Sequence, residues 1–323
     1  MKPWLSRLVL CALASLAATA WAQDQFPARA VRIVVPYPPG AITDVIPRLV
    51  AEKLREAWGQ PVIIDNRPGA NGLIAAEYVA KAPPDGYTLL VALPDHLAIA
   101  PSLYRKFPID PLRDYVPITI MVRQAFVLVV RNDLPAARLV DLIKMAKGNP
   151  GKLRMSSWGE GSTGHLALEL LKSMSGADIQ HVPYKGAQAA MTDVVGGHVD
   201  MMITGYSTAG PHIKSGRVRV LGRTSAERSR LTPDIPTIAE SGYPGYEVQS
   251  WYGLVAPGGT PRAVVDTIYQ GVGRAMQSSN IRERIDGFYA EPVAITPDAF
   301  ARLIRDEQLK WSAVIRAAKV QLD

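Results

Sequence analysis

The chain has 323 residues, 48% of them hydrophobic, enough to bury a sizeable core in one or two domains. Its formal charge of +7 is scattered rather than gathered into runs, which argues against nucleic-acid binding and leaves a mild field that suits small anions. A single cysteine excludes a disulfide framework.

Lys2 and Arg7 make a positive start, Leu8 to Leu16 an apolar run, and Ala20-Trp21-Ala22 an A-x-A-like cleavage site before Gln23. The run is shorter than the roughly 20 residues of a membrane span. Residues 1–22 therefore read as a secretory signal, and the mature protein is expected to be exported. Cys11 leaves with the signal, so the mature chain has no thiol chemistry. Bulky Leu10 before Cys11 argues against a lipoprotein. Without Lys2 and Arg7 the charge is +5.

The mature chain opens on a β-branched run from Val31 that ends in Pro36-Tyr37-Pro38-Pro39-Gly40. A helix follows, capped at Thr43 or Asp44, with Val45, Ile46, Leu49, Val50 and Leu54 at helical spacing and Pro47 in its first turn. Such a strand–turn–helix aims free N–H groups at one point and favours an anion there, although it also serves as an ordinary connection. Strands are expected at 62–65 and 87–92, with a helix through Ala75, Ala76, Val79 and Ala80 between them. Asp95-His96 starts a short helix, and 101–117 reads as an irregular segment. Two strands, 118–122 and 126–130, precede a helix over 135–147 and a strand at 153–157.

A second glycine-bearing loop, Gly159-Glu160-Gly161-Ser162-Thr163-Gly164-His165, then opens an amphipathic helix. Strands at 179–182, 199–203 and 218–221 alternate with helices near 187–195 and 209–214. Residues 224–249 are rich in turns. A strand at 251–256 and helices over 261–276, 281–287 and 297–318 complete the chain. This alternation implies an α/β fold with parallel sheet, in two lobes whose strand ends face one cleft.

Gly159-x-Gly161-x-x-Gly164 matches the dinucleotide fingerprint, but the next strand ends at Val182-Pro183-Tyr184-Lys185-Gly186 without the acid that would hold a ribose. What remains is a helix start with N–H and hydroxyl donors, suited to a carboxylate. A nucleophile elbow fails because position 160 is Glu. His96, His165, His181, His198 and His212 show no metal-ligand spacing, and no cofactor is expected. His165 either points into the cleft as a donor or packs on the neighbouring loop. Tyr184, at a strand end, is placed to close over a ligand.

The chain resembles the substrate-binding receptors of tripartite tricarboxylate transporters, the Bug-type periplasmic proteins. The resemblance rests on Val35-Pro36-Tyr37-Pro38-Pro39-Gly40 with Thr43-Asp44, Asn66-Arg67-Pro68-Gly69-Ala70, and Pro84-Asp85-Gly86-Tyr87-Thr88-Leu89. It extends through Gly161-Ser162 with His165-Leu166, His181-Val182-Pro183-Tyr184-Lys185-Gly186 and Glu240-Ser241-Gly242-Tyr243-Pro244-Gly245. It implies a two-lobe Venus-flytrap fold, type II-like, with lobe 1 from 23–124 plus 225–323 and lobe 2 from 125–224. It also implies a carboxylate-bearing ligand between the two loops, and a membrane transporter as partner. A monomer is expected.

The candidate ligand contacts are Tyr37, Pro39, Gly40, Ala41, Ile42, Thr43 and Asp44 on the first loop. Asp95 joins them after the third strand, with Gly159, Gly161, Ser162, Thr163, His165 and Tyr184 from the second lobe. Two departures from the family pattern stand out. Ala41 and Ile42 replace a glycine and a small residue, and Leu93-Pro94-Asp95-His96 replaces small polar residues. Both suggest a more apolar or mono-acid ligand than a plain dicarboxylate. A sensor-kinase input subunit and a secreted hydrolase or lyase are the competing readings.

Overall fold

The structure is a computed structural model, and it describes residues 26–322. The expected signal, 1–22, lies outside the described residues. Within them no helix is long and apolar enough to cross a membrane.

The chain builds two half-sheets joined through one long strand. In the first, β1 (Val31–Val35), β2 (Val62–Asn66) and β3 (Thr88–Ala92) are parallel in the order β2-β1-β3. Val31, Ile33, Val34 and Val35 are buried, as a strand covered on both faces requires. Antiparallel β9 (Gln249–Pro257) pairs with β3, and β4 (Tyr115–Arg131) pairs with β9. The second half-sheet runs β8-β4-β7-β5-β6, with β5 (Arg154–Ser157) parallel to β6 (Gln180–Pro183) and β7 (Met201–Gly205). There β4 is antiparallel to both β7 and β8 (Val218–Arg223). The sheet is therefore mixed, not all parallel.

The two strands expected at 118–122 and 126–130 are one 17-residue strand, β4. Arg123 and Gln124 interrupt the apolar pattern without interrupting the backbone ladder. Residues up to Ala125 pair with β9, and residues from Phe126 pair with β7 and β8. The change of half-sheet happens inside a continuous strand. A two-residue strand, β10 (Glu291–Pro292), pairs with β4 beside this point.

Helices cover both half-sheets. α1 (Ile42–Trp58) and α2 (Leu73–Ala80) belong to the first. α5 (Leu139–Gly148), α6 (Thr163–Ser175), α7 (Ala187–Val195) and α8 (Tyr206–Lys214) belong to the second. Between β3 and β4 lie a π-helical turn (Asp95–Ile99) and two short helices, α3 (Ala100–Leu103) and α4 (Pro111–Asp114). The segment expected to be irregular is thus partly helical, because Asp110 caps α4 and Pro111 fits its first turn. Pro47 sits well inside α1 rather than in its first turn, so the carbonyl of Thr43 loses its helical donor.

After β9 come α9 (Arg262–Ala275), α10 (Ser279–Gly287) and α11 (Pro297–Ala318). α11 begins well: the Thr296 hydroxyl accepts from the Ala299 N–H, and Pro297 is its first residue. Its apolar positions then serve two cores. Phe300 and Ile304 pack with Leu97 and Trp251 of the first half, whereas Trp311 and Ile315 pack with Leu166 and Leu171 of the second. Residues 225–248, expected with the first lobe, also side with the second half. Ile238 donates its N–H to the Arg223 carbonyl, and the buried Tyr246 hydroxyl donates to the Ala167 carbonyl. Apolar residues in that turn-rich stretch are too sparse for periodicity to assign them a lobe.

Candidate functional site

The segment after β3 in one half and the loop after β5 in the other come together, the Thr163 hydroxyl bonding Asp95. Loops there have no ladder partners, so their donors and acceptors are available for one another or for a ligand.

The first loop is held by Asp44. Its buried carboxylate accepts from the Gly40 N–H at 3.0 Å, from Arg48 Nε at 2.9 Å and from Asn66 Nδ2 at 2.9 Å. Burial pushes the Asp44 carboxyl up, and the bonds from Arg48, Asn66 and Gly40 outweigh it and hold the group below the usual carboxylate range. The helix is not capped by Thr43 or Asp44 as expected. Ala41 takes the cap position without a side-chain bond, and Asp44 reaches back to the preceding N–H instead. Asp44 is thus an anchor of the loop. Pro39, Gly40 and Ala41 are exposed at its tip, and Gly40 has the positive φ of 104° that the turn requires. Ile42 is buried in the first-half core with Val35, Leu93 and Tyr252. Thr43 is buried too, yet its hydroxyl has no hydrogen-bond partner.

Tyr37 stacks on His96, ring centroids 6.0 Å apart, and its hydroxyl donates to Asn71 Oδ1 at 3.2 Å. Burial, then the nearby Asp95 and Tyr252, push that hydroxyl well above its ordinary range. His96 Nε2 lies 3.0 Å from the Asn71 carbonyl, which can only accept. Nε2 therefore carries the proton and Nδ1 is a bare acceptor, buried and without a partner. Burial lowers this imidazole to about 4, so it is neutral. Gly72 leaves the space: a Cβ there would stand 2.1 Å from His96 Nε2.

The second loop is knit to itself. Ser162 caps α6, accepting from the His165 N–H at 3.3 Å, and donates its own proton to the Gly159 carbonyl at 2.7 Å. Gly161 donates its N–H to His165 Nδ1 at 3.1 Å. His165 stacks face to face on His181 at 3.6 Å, and His181 Nε2 lies 2.7 Å from the buried Ser157 hydroxyl. Of the two alternatives for His165, the structure has it packed on the loop. The positive φ of Gly161, 70°, and its approach to Leu103 leave no room for a side chain. Tyr184 is turned away to α7, where its hydroxyl donates to Asp193 Oδ2 at 2.5 Å. It does not close over the cleft.

Thr163 is the residue of this loop that reaches across. Its hydroxyl lies 3.3 Å from each oxygen of Asp95, which is buried at the start of the π-helical turn. The buried Gln124 and Tyr252 are bonded to each other: the Tyr252 hydroxyl donates to Gln124 Oε1 at 3.0 Å, and Gln124 Nε2 donates to the Phe288 carbonyl at 2.9 Å. Tyr206, at the start of α8, meets Tyr289 at 4.0 Å. The Gln124–Tyr252 bond and the Tyr206–Tyr289 contact join residues far apart in the chain, which no local motif marks. His96 was adjacent to a flagged residue and its role was legible only from its neighbours. Among the described residues no cluster of His, Cys, Asp and Glu could hold a metal ion.

The pattern of the tripartite tricarboxylate transporter family receptor matches residues 46–320. The chain belongs to this receptor family. BugT of Bordetella pertussis is 36% identical over 315 residues, which cover 97% of this chain and 96% of BugT. Among solved structures, Rpa4515 of R. palustris with adipate superposes with a TM-score of 0.82 at 37% identity, over 92% of this chain and 99% of that one. MatC from Rhodopseudomonas palustris with bound malate gives 0.78 at 32%, over 90% of this receptor and all (100%) of MatC. The receptor accordingly has the two-lobe α/β architecture of periplasmic solute-binding proteins.

Proposed function

We propose that this receptor captures a small carboxylate-bearing organic acid in the cleft and delivers it to a tripartite tricarboxylate-type membrane transporter. The observation that carries the reading is the Thr43 hydroxyl, buried at the start of α1 and unpartnered. A buried hydroxyl without a partner costs about 1–3 kcal/mol, and a ligand oxygen removes that cost. The adjoining start of α1 supplies the partial positive charge that an anion prefers. Adipate in Rpa4515 and malate in MatC support an organic acid as the ligand class.

The contacts we assign to it come from Thr43 and the rim formed by Tyr37, Pro39, Gly40 and Ala41, with Gly159 and Thr163 opposite. Ile42, Asp44, Gly161, Ser162 and His165 shape the two loops from behind, and Tyr184 stands outside. Lobe motion would pivot in β4 near Ala125 and where the chain re-enters the first half-sheet at Gln249. The mature protein, from Gln23, would be a periplasmic monomer.

The hydrolase reading finds little support. The Ser162 proton is committed to Gly159, His165 Nδ1 to the Gly161 N–H, and the Tyr184 hydroxyl to Asp193. A thermal-shift screen of residues 23–323 against mono-, di-, tri- and aromatic carboxylates tests the receptor reading. At a hundredfold excess over its dissociation constant a ligand adds about 2.7 kcal/mol of stability. Thr43→Val should weaken the hit about tenfold, and a panel without any shift would refute the reading. Uptake of the labelled acid into vesicles bearing the membrane subunits, dependent on added receptor, tests delivery.

A further inference from the structure

The amino end of α6 already holds a carboxylate, and it belongs to the protein. Asp95 comes from the first half, at the first residue of the π-helical turn, a distortion of the helical ladder often found at functional sites. The turn itself bridges the halves, with Leu97 in the first-half core and Ala98 and Ile99 in the second. Asp95 accepts from the Thr163 hydroxyl at the amino end of α6, 3.3 Å from each oxygen. Burial raises the carboxyl, and its own backbone N–H and then the Thr163 hydroxyl work against that rise. α6 is 13 residues long, so its amino end carries a full partial charge. The wall around the contact is tight: a Cβ on Gly161 would stand 2.2 Å from Leu103 Cδ2.

Two further polar groups of the first half are buried without partners. One is the Thr43 hydroxyl; the other is His96 Nδ1, next to Asp95 in the chain and 1% exposed as a residue. Nδ1 is an acceptor, since Nε2 holds the proton for the Asn71 carbonyl. Thr43 thus leaves a donor-capable hydroxyl open at the start of α1, and His96 leaves an acceptor one residue after Asp95 in the chain. A dicarboxylate placed between them would bring its second charge against Asp95 and the bare nitrogen of His96.

We propose that Asp95 is the specificity-determining residue of the receptor: its carboxylate fills the anion position at α6, so the ligand is a mono-acid bearing a hydroxyl, amide or amine toward Asp95 and His96. This rests on the organic-acid reading above and narrows it.

The test is calorimetric titration of the mature receptor and of Asp95→Ser with matched sets of linear acids, from four to eight carbons, and of benzoic acids. Each set holds the diacid, the plain mono-acid and the mono-acid with a terminal hydroxyl, amide or amine. The wild type should bind a donor-bearing mono-acid at least tenfold more tightly than the matched diacid. Asp95→Ser should shift that ratio at least tenfold toward the diacid. Asp95→Asn, which keeps the shape and removes the charge, should move it the same way, and serves if the serine variant does not fold. A wild type that binds a diacid as tightly as its mono-acid partner, or a ratio unchanged in both variants, would overturn the inference and leave the organic-acid reading standing. Binding of no acid by any of the three proteins would overturn both.

Discussion

Asp44 and the buried histidines show how single residues set the conditions at the cleft. Asp44→Ala would leave the Gly40 N–H, Arg48 and Asn66 without their shared acceptor. About 2–3 kcal/mol of stability should be lost, read as a lowered denaturation midpoint. The histidines set a pH dependence. Burial lowers His96 to about 4; burial and then the neighbouring His181 lower His165 to about 3; burial and then Lys172 lower His181 to about 4. The unfolded chain, with imidazoles near 6.5, therefore binds more protons than the native one over this interval. Stability is fully present above about pH 6.5 and falls as pH drops through the range toward 4 and 3. Asp95 and Glu307, raised by burial, act in the opposite sense, their contribution growing as pH falls toward their unfolded range. The melting temperature should accordingly fall between pH 7 and pH 5. His165→Asn, which keeps an acceptor for the Gly161 N–H, should flatten that fall.

At the scale of elements, the glycine loop into α6 is the most constrained piece. Gly161 combines a positive φ with a 2.2 Å approach of Leu103 to any added Cβ, so Gly161→Ala should cost about 1–3 kcal/mol. Ser162→Ala removes the cap of α6 and should cost about 1 kcal/mol. Both are measured by chemical denaturation. Ser162→Ala should weaken ligand binding only through the loop, since the hydroxyl faces Gly159 and the His165 N–H rather than open cleft. β4 carries the other lesson at this scale. Its polar pair, Arg123 and Gln124, breaks the apolar run at the point where the strand changes partners. Gln124 spans that point, holding Tyr252 and the Phe288 carbonyl.

For the whole molecule, ligand capture is expected to couple to the relative placement of the halves, because cleft residues come from both. A bound acid should lower the radius of gyration measured by small-angle scattering, and an unchanged radius would argue for a rigid cleft. α11 limits that motion, since Trp311 and Ile315 sit in the second core while Phe300 and Ile304 sit in the first.

Much of this architecture was legible along the chain. The helices at 187–195 and 297–318 have the expected bounds, and both glycine-bearing loops lie between a strand and a helix as read. Local signals suffice for these, because helical spacing, caps, prolines and turn glycines act on neighbours in sequence. The use of each polar group was not legible. Ser162, His165, Tyr184 and Asp44 were all candidate ligand contacts in the sequence, and all are committed to nearby partners. Thr43 alone of the first-loop hydroxyls is left open. The bond from Thr163 to Asp95 joins residues 68 positions apart. Which hydrogen bonds a group makes depends on what the other half brings within 3 Å or so, and no local pattern encodes that. Local residue patterns set most of the elements and the family of folds they build. The tertiary structure decided which carboxylate meets the amino end of α6, because only folding brings the two halves' strand ends together.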